Sequence, residues 1–196
     1  MASSYRSFQE LKDQEVEGRD FRIRTDLRDS SVLVMAPHGG KIEPGTTEIA
    51  EAIAGMDLSF YSFEGLKTEG NSVFHIESHL YNEPRALQAI SKAHVVVTVH
   101  GQIDQKDEFV MIGGLHTQLG SEIKRQLEAS GFQTRSPTKG LSGTDQKNIC
   151  NRGISRRGVQ LEMSRKVRDL LRTNPDRLRA FANAVRKAIE QYMMVS

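Results

Sequence analysis

The chain has 196 residues, 37% of them hydrophobic and 27% charged, with a formal net charge of +2 at pH 7. This balance is typical of a folded globular protein and excludes a disordered chain, and so small a net charge does not by itself indicate nucleic-acid binding. A single cysteine, Cys150, excludes an internal disulfide framework, and no segment reaches the roughly 20 apolar residues of a membrane span.

The first residues of the chain are polar and are followed by acidic sequence. A secretory signal would require an apolar segment at this position. We therefore expect no signal peptide. The protein is then expected to be cytoplasmic, or to be released only when the host cell lyses.

Hydrophobic patterns predict strands and helices that alternate along most of the chain. The predicted strands are residues 32–36, 58–63, 72–76, 95–99, 109–112, 132–134 and 159–163. The predicted helices are residues 7–18, 46–54 (with Thr46 as its cap), 83–90, 118–130, 164–172 and 176–194. This alternation is typical of an α/β fold with an open, mixed and mostly parallel sheet and helices on both faces. With no repeat or linker, residues 1–196 are expected to form a single domain.

Two of the predicted strands end in a histidine followed by glycine. Residues 32–36 lead to His38-Gly39-Gly40, and residues 95–99 lead to His100-Gly101. Runs of about five apolar residues are typical of strands buried on both faces of a parallel sheet. Ligands of such folds usually bind at the carboxyl edge of the sheet. We therefore expect both imidazoles at that edge, with glycines that allow a close approach of the backbone.

A carboxylate follows the first of these histidines, in the loop from His38 to Glu43. Glycines within the loop and Pro44-Gly45 after it exclude a regular helix, so a tight loop could bring both side chains to one point. Catalytic zinc sites take three protein ligands of the His and Glu type and keep a fourth position for water. His38, Glu43 and His100 are therefore the candidate ligands. The alternative is that each histidine only bonds backbone at a strand end.

A competing histidine pair lies in His75-Ile76-Glu77-Ser78-His79. On a helix, histidines four residues apart share one face, as in helical zinc motifs. Residues 72–76 are predicted to be a strand, however, where positions four apart are separated by about 13 Å. We therefore expect His75 and His79 to support the metal ligands or to contact substrate.

A third strand ends at a carboxylate, in Val159-Gln160-Leu161-Glu162. Close to a metal-bound water, Glu162 would be suited to act as the general base of a hydrolysis. Just before this strand, Asn151-Arg152-Gly153 and Arg156-Arg157 form a basic loop. The planar guanidinium of arginine binds carboxylates through two hydrogen bonds, so these arginines are candidates to hold an acidic substrate. The alternatives are a surface carboxylate and a solvated basic loop.

Together these motifs resemble the phage poly-γ-glutamate hydrolases and their Bacillus relatives. The resemblance covers most of the chain and includes Tyr5-Arg6-Ser7-Phe8-Gln9-Glu10-Leu11, Ser78-His79-Leu80-Tyr81-Asn82-Glu83-Pro84 and Gly143-Thr144-Asp145. It implies a zinc hydrolase related in fold to the zinc carboxypeptidases, with His38, Glu43 and His100 as ligands and Glu162 as general base. Asn151 and Arg152 are similar to the Asn-Arg pair that holds a substrate carboxylate in carboxypeptidases, which implies that role here. The His38 to Glu43 spacing is longer than in carboxypeptidases, so the nearer family is the better guide.

The resemblance implies zinc-dependent hydrolysis of the γ-glutamyl amide linkages of poly-γ-glutamate. Each unit of this polymer keeps an α-carboxylate, so its site needs nearby cations. The candidates are Lys41, Lys139, Lys147, Arg152, Arg156 and Arg157, all in loops expected near the proposed edge of the sheet, with Arg152, Arg156 and Arg157 next to the proposed base. A zinc deacylase of a small N-acyl amino acid would use the same metal centre with a different pocket size.

An alternative of another class is a phage or prophage nucleic-acid-binding accessory protein. It is based on the basic residues of the last two predicted helices, which are Arg165, Lys166, Arg168, Arg172, Arg177, Arg179, Arg186 and Lys187. Few aromatic residues accompany them, and acidic residues are interspersed. Nucleic-acid surfaces combine basic charge with stacking platforms, so this composition argues against the alternative.

Overall fold

A computed structural model describes residues 5–194 of the chain. Within this range the strands are β1 (Phe21–Asp26), β2 (Val32–Gly40), β3 (Ser59–Gly65), β4 (Val95–Gly101), β5 (Val110–Gly113), β6 (Thr134–Arg135) and β7 (Val159–Met163). The α-helices are α1 (Phe8–Lys12), α2 (Thr46–Ala54), α3 (Pro84–Lys92), α4 (Thr117–Ala129), α5 (Arg165–Thr173) and α6 (Pro175–Met193). Two 3₁₀ helices span Asn71–Phe74 and Ile149–Arg152. The expectation about a signal peptide concerns in part residues 1–4, which lie outside the described residues.

The sheet has the strand order β1-β3-β2-β4-β7-β5-β6. The four central strands β3, β2, β4 and β7 are parallel, β1 and β5 are antiparallel to β3 and β7, and β6 is parallel to β5. The predicted mixed, mostly parallel sheet is therefore confirmed. Because β2, β4 and β7 are neighbours, their carboxyl ends lie side by side at one edge. None of the helices within residues 5–194 is long and apolar enough to cross a membrane.

The central strands are buried on both faces, because alternate residues pack against opposite layers of helices. In β4, Val97 and Val99 belong to the core formed with α2, α4, α5 and α6, whereas Val96 belongs to the core formed with α1 and α3. His100 shares the face of Val96 by alternation. Glu162 of β7 lies on this same face, since its neighbours in the strand pack in the other core. Strand periodicity therefore places both residues on one side of the sheet.

β2 reaches the same face through a β-bulge. Its pairing with β3 is regular up to Ala36 and resumes at Gly39, with one more residue on β2 than on β3. A bulge shifts the alternation of side chains by one position. Without it, His38 would follow Ala36 into the opposite core. The bulge around Pro37 and His38 instead turns the imidazole of His38 towards His100.

The strand predicted over residues 72–76 is wrong. Asn71–Phe74 is a 3₁₀ helix that begins after Gly70, whose φ of 74° turns the chain. The side-chain amide of Asn71 holds this turn by donating to the carbonyl of Lys67 at 2.8 Å. An apolar pattern of four residues therefore marked a buried turn rather than a strand.

The first thirty residues also differ from prediction. The helix predicted over residues 7–18 ends at Lys12, and beyond it the carboxylate of Asp20 accepts a hydrogen bond from the N–H of Val16 and closes a separate turn. β1 was not expected, since most of its residues are polar and only Phe21 is fully buried. An edge strand of this composition carries almost no apolar pattern.

Candidate metal centre and active-site cleft

Side chains from β2, β4 and the loop after β2 converge at the carboxyl edge of the sheet. His38, Glu43 and His100 are all buried there. Nδ1 of His38 lies 3.2 Å from Nδ1 of His100 and 3.2 Å from Oε1 of Glu43. Oε2 of Glu43 accepts a hydrogen bond from the N–H of Gly101 at 2.7 Å. The structure thus brings the three predicted ligands to one point.

Glycine gives the loop between His38 and Glu43 its close packing. A Cβ atom at Gly39 would lie 2.3 Å from the hydroxyl oxygen of Thr47 and 2.4 Å from that of Ser62. No real Cβ contact is so short, so the backbone can take this path only with glycine. The expected close approach of the backbone beside His38 is therefore confirmed.

Thr46 braces this loop instead of capping α2. The N-cap residue is Gly45, whose φ is 102°, and its position offers no side-chain cap. The hydroxyl of Thr46 lies 2.9 Å from the carbonyl oxygen of Glu43 and 3.2 Å from that of His38. The predicted cap is thus corrected to a contact that ties both ends of the loop together.

A third imidazole, that of His75, lies at the mouth of the same cluster. Its ring stacks on His38 with centroids 3.8 Å apart, and its Nε2 lies 3.2 Å from Oε1 of Glu43. His38, Glu43 and His75 present ligand atoms that all lie within 4.8 Å of one another. The His75 side chain is 42% exposed, whereas that of His100 is 3% exposed. Because a strand is predicted over residues 72–76, the sequence does not predict that His75 joins this cluster.

The lone pairs of this cluster fit a bound cation. Nε2 of His38 lies 2.8 Å from the carbonyl of Ile76 and donates to it, which leaves Nδ1 of a neutral His38 as a lone pair. That lone pair faces Oε1 of Glu43, another acceptor. Nε2 of His100 is buried with no hydrogen-bond partner among residues 5–194. Metal-bound histidines typically donate their other N–H to a carbonyl, and a His and Glu donor set suits zinc.

The charges around Glu43 favour the protonation states that metal ligands require. Burial raises the pKa of Glu43, but positive charge on the neighbouring imidazoles when they are protonated, that of His38 first, outweighs burial and holds this pKa well below its usual range. A bound cation would favour the carboxylate of Glu43 in the same way. Burial lowers the pKa of His100 to about 3. Glu43 is therefore a carboxylate and His100 a neutral imidazole at neutral pH, as metal binding demands.

Glu162 lies beside this cluster, paired in register with His100. Its Oε1 accepts a hydrogen bond from Nε2 of Gln160 at 2.8 Å, and Oε1 of Gln160 accepts one from Asn148 at 2.8 Å. Among residues 5–194, none donates a hydrogen bond to Oε2 of Glu162. Burial and then the charge of Glu43 raise the pKa of Glu162 to about 8. A carboxyl group with this pKa can take up and return a proton near neutral pH.

The cluster opens into a cleft of about 1160 Å³. Besides the residues already described, the walls of the cleft are formed by residues 77–80, residues 140–145, Tyr5, Arg6 and Gln102. Arg6 is the only lysine or arginine among the lining residues that the structure describes. His79 also lines the cleft, where the predicted contact with substrate would require it. No basic cluster in the sequence indicates a substrate-binding role for Arg6, although the stretch that contains it contributes to the family resemblance.

Asn151 and Arg152 are not among the residues that line the cleft. The amide of Asn151 is buried and forms four hydrogen bonds, to the carbonyls of Gly143 and Asp145 and from the N–H groups of Leu115 and Gly158. Arg152 is partly buried and donates to the carbonyl of Tyr81 at 2.7 Å. Both side chains hold loops together. Their contact with substrate stays a prediction that this placement does not support.

Strand polarity places the rest of the basic loop at the other edge of the sheet. The loop precedes β7 and enters at the amino end of the strand, whereas Glu162 lies near its carboxyl end. The N–H of Ile154 bonds the carbonyl of Ala93, just before β4 begins. The expectation that Arg156 lies beside the base is therefore wrong. Arg156 instead makes a turn with a φ of 56°, and its contact with substrate stays a prediction.

The basic residues of α5 and α6 are mostly paired with acids. The ion pairs with acids are Arg165–Asp169, Lys166–Glu108, Arg172–Glu48, Arg179–Asp176 and Arg186–Asp57. Arg168 is buried beneath the metal centre. The positive surface on which the nucleic-acid alternative depends is therefore largely neutralised.

The fold and this edge of the sheet together define an α/β protein with a candidate metallohydrolase centre. The family model described as poly-gamma-glutamate hydrolase matches residues 5–194. The chain therefore belongs to the poly-gamma-glutamate hydrolase family, a family of hydrolytic enzymes. The family resemblance predicted from the sequence is confirmed.

Two solved structures share this fold over nearly the whole chain. A bacteriophage poly-gamma-glutamate hydrolase matches with a TM-score of 0.94 and 30% identity, covering 100% of both chains. YndL in a form described as zinc-free matches with a TM-score of 0.89 and 32% identity, covering 96% of this chain and 98% of that one. The SPbeta prophage-derived protein YoqZ of Bacillus subtilis (strain 168) is 36% identical over 165 residues, which are 83% of this chain and 59% of YoqZ. This chain thus spans about three fifths of the length of YoqZ.

Proposed function

We propose that this chain is a zinc-dependent enzyme that hydrolyses the γ-glutamyl amide linkages of poly-γ-glutamate. The observation that carries the proposal is the convergence of His38, Glu43 and His100 with Glu162 at one end of a large cleft. Membership of the poly-gamma-glutamate hydrolase family supports the reaction and the substrate. The zinc-free description of the YndL structure supports the choice of metal.

His38, Glu43 and His100 would hold the zinc ion, because they are the buried donors of the cluster. When bound, zinc polarises the scissile carbonyl and makes water a nucleophile near neutral pH. His75 lines the cleft and is more exposed than the other two histidines. We assign it to supporting the Glu43 carboxylate and contacting the substrate.

Glu162 would act as the general base. Gln160 holds its Oε1 atom, so Oε2 is the oxygen that is left to take the proton of the attacking water. The same carboxyl group would then return this proton to the leaving amine. Asn148 supports this arrangement by fixing the amide of Gln160.

The cleft favours a polymer over a small substrate. Its volume of about 1160 Å³ exceeds the range of about 300–1,000 Å³ in which pockets enclose single small ligands. An N-acyl amino acid, the substrate of the deacylase alternative, would leave most of the cleft empty. Arg6 and His79 line its wall and would meet the α-carboxylates of successive glutamate units.

The proposal is tested by incubating the purified protein with poly-γ-glutamate, with and without a zinc chelator, and sizing the products. We expect about one zinc per chain, polymer shortening, loss of shortening with chelator and recovery when zinc is restored. Intact polymer after incubation with the zinc-loaded protein would contradict the proposal. Release of amino acid from an N-acyl amino acid, with the polymer intact, would favour the deacylase. Retardation of DNA at physiological salt would favour the nucleic-acid alternative.

A further inference from the structure

A buried arginine lies directly beneath the candidate metal centre. Arg168 of α5 is 3% exposed, and within residues 5–194 it forms no salt bridge to a carboxylate. Its guanidinium instead donates to three backbone carbonyls, those of Pro44 at 2.6 Å, Gln102 at 3.0 Å and Met163 at 3.3 Å. A buried charge is costly unless its hydrogen bonds are satisfied, and here backbone oxygens alone satisfy them.

Each of the three carbonyls closely follows one proposed site residue in the chain. The pairs are Pro44 after Glu43, Gln102 after His100-Gly101, and Met163 after Glu162. Two of these segments, the ends of β4 and β7, are already paired, and the N–H of Gln102 donates to the carbonyl of Met163 at 2.9 Å. The planar guanidinium therefore ties the loop that carries Glu43 to the paired strand ends that carry His100 and the base. Its rigid fork of donors suits such a contact.

Glycine at position 101 makes room for this group. A Cβ atom at Gly101 would lie 2.4 Å from Cζ and 2.6 Å from Nε of Arg168. The N–H of the same glycine donates to Oε2 of Glu43 at 2.7 Å. The backbone after His100 is thus held between the carboxylate of Glu43 and the guanidinium of Arg168. This contact explains why the second histidine is followed by glycine.

We propose that Arg168 is the positioning residue of the metal centre, because its hydrogen bonds hold the loop of Glu43 against the paired ends of β4 and β7, which carry His100 and Glu162. This inference rests on the proposed function for the roles of those groups. The charge of Arg168 also acts on Glu162, whose pKa it lowers against the stronger effect of burial. The test must therefore separate the geometry of the guanidinium from its charge.

Two substitutions make this separation. Arg168→Lys keeps the charge but loses the fork of donors, whereas Arg168→Met keeps much of the volume and loses both. Arg186→Met is the matched control. Arg186 also bonds backbone carbonyls, those of Ile53 and Ala54 at 2.9 and 3.1 Å, but at the end of α2 away from the cleft. The Arg186→Met variant therefore measures the general effect of removing an arginine whose hydrogen bonds join separate segments.

The first measurement is hydrogen exchange of the Gly101 amide in the metal-free protein, compared with the amide of Val97 in the core of β4. We expect exchange at Gly101 to be at least about tenfold faster in both Arg168 variants, because the loops lose their common anchor. Arg186→Met should leave the ratio of the two amides unchanged. Wild-type protection of Gly101 in Arg168→Met would overturn the proposal, and so would full protection in Arg168→Lys, which would assign the effect to charge.

The second measurement is zinc affinity together with steady-state kinetics on poly-γ-glutamate. Both Arg168 variants should lose about 10–100-fold in zinc affinity, the range found when groups that orient metal ligands are removed. At saturating zinc, kcat should fall while KM changes little, because the position of Glu43 relative to the base, and not the cleft, is altered. Unchanged zinc affinity and kcat would overturn the proposal. If the wild-type protein neither bound zinc nor cleaved polymer, the proposed function would fail, while Gly101 exchange would still decide the positioning role.

Discussion

Two stretches with comparable functional signals in the sequence lie at opposite edges of the sheet. His38, His100 and Glu162 lie where β2, β4 and β7 end, whereas the loop from Asn151 to Arg156 leads to the start of β7. At the first edge, buried nitrogen and oxygen atoms lie close together, but too few of them carry a proton for all of them to form hydrogen bonds. At the second, the fold itself satisfies the polar side chains. The direction of the strands, and not the separation of residues along the chain, therefore determines which of these residues lie at the candidate site.

The largest expected loss of activity is that of Glu162→Gln, at the edge of the sheet that carries the candidate site. The amide keeps the size of the side chain but cannot take a proton, so hydrolysis of poly-γ-glutamate should fall by at least about 100-fold. Zinc content should stay at the wild-type value, because Glu162 is outside the proposed ligand set. The measurements are kcat on the polymer and metal analysis.

Glu64→Gln is the matched control for this variant. Glu64 is equally buried, lies near the end of β3 and pairs with Arg22 at 2.7 Å. Its replacement should lower thermal stability and leave kcat near the wild-type value. Equal kcat in Glu162→Gln and wild type would remove Glu162 from the mechanism.

A comparison of His100→Ala with His75→Ala tests which imidazole completes the ligand set. His100 is fully enclosed, while His75 stands at the mouth of the cluster. We expect His100→Ala to lower zinc affinity by more than about 100-fold and His75→Ala by about tenfold or less, as for groups that support a ligand. Competition with a chelator of known affinity measures both. The reverse order would make His38, Glu43 and His75 the ligand set.

The sequence predicted the sheet and the central part of the site well, because both depend on short apolar runs. Such runs identify buried parallel strands, and buried parallel strands share a carboxyl edge. This reasoning places His100 and Glu162 on one face through the period of two. His38 reaches that face only through the β-bulge after Ala36. The composition of this stretch does not predict a bulge.

Other features depend on contacts between residues that are distant in the chain. His75 was assigned to a strand because its segment is apolar, but a turn anchored by Asn71 carries it to the metal centre. Arg168 was counted among surface charges, although its partners are carbonyls of three separate segments. Arg6 comes from the start of the described chain and meets the cleft only in the folded protein. Local patterns therefore identify elements, while tertiary packing decides which side chains meet.

Two asparagines three residues apart sharpen the comparison between the edges. Asn148 lines the cleft and supports Glu162 through Gln160, whereas Asn151 does not line the cleft and bonds only backbone groups. Asn148→Ala should lower kcat by about tenfold with a modest loss of stability, since two hydrogen bonds, to Gln160 and from the N–H of Cys150, are removed. Asn151→Ala should lower the free energy of unfolding by about 3 kcal/mol, because buried donors and acceptors lose their partners. Chemical denaturation and kinetics of the folded protein distinguish the two.

The outcome for Asn151→Ala also tests the role implied by the carboxypeptidase-like Asn-Arg pair. If Asn151 held a substrate carboxylate, its loss would raise KM for poly-γ-glutamate. The four hydrogen bonds of its side chain leave it no free donor for that contact. A raised KM with unchanged stability would therefore contradict the structural role and favour the contact with substrate.

The smallest expected effect concerns the cation that meets the polymer. Arg6→Ala removes the only lysine or arginine among the described residues that line the cleft. KM for poly-γ-glutamate should rise by about three- to tenfold, and the difference from wild type should shrink as salt is added, because an exposed guanidinium is readily screened. Steady-state kinetics at two ionic strengths measure this effect.

Arg156→Gly is the matched change at the opposite edge. Arg156 has a φ of 56°, which glycine adopts without strain, so stability should rise by about 1 kcal/mol while KM stays unchanged. The pair of variants thus removes one arginine from each edge of the sheet. A higher KM in Arg156→Gly, with none in Arg6→Ala, would reverse the assignment and make the basic loop the surface that holds the polymer.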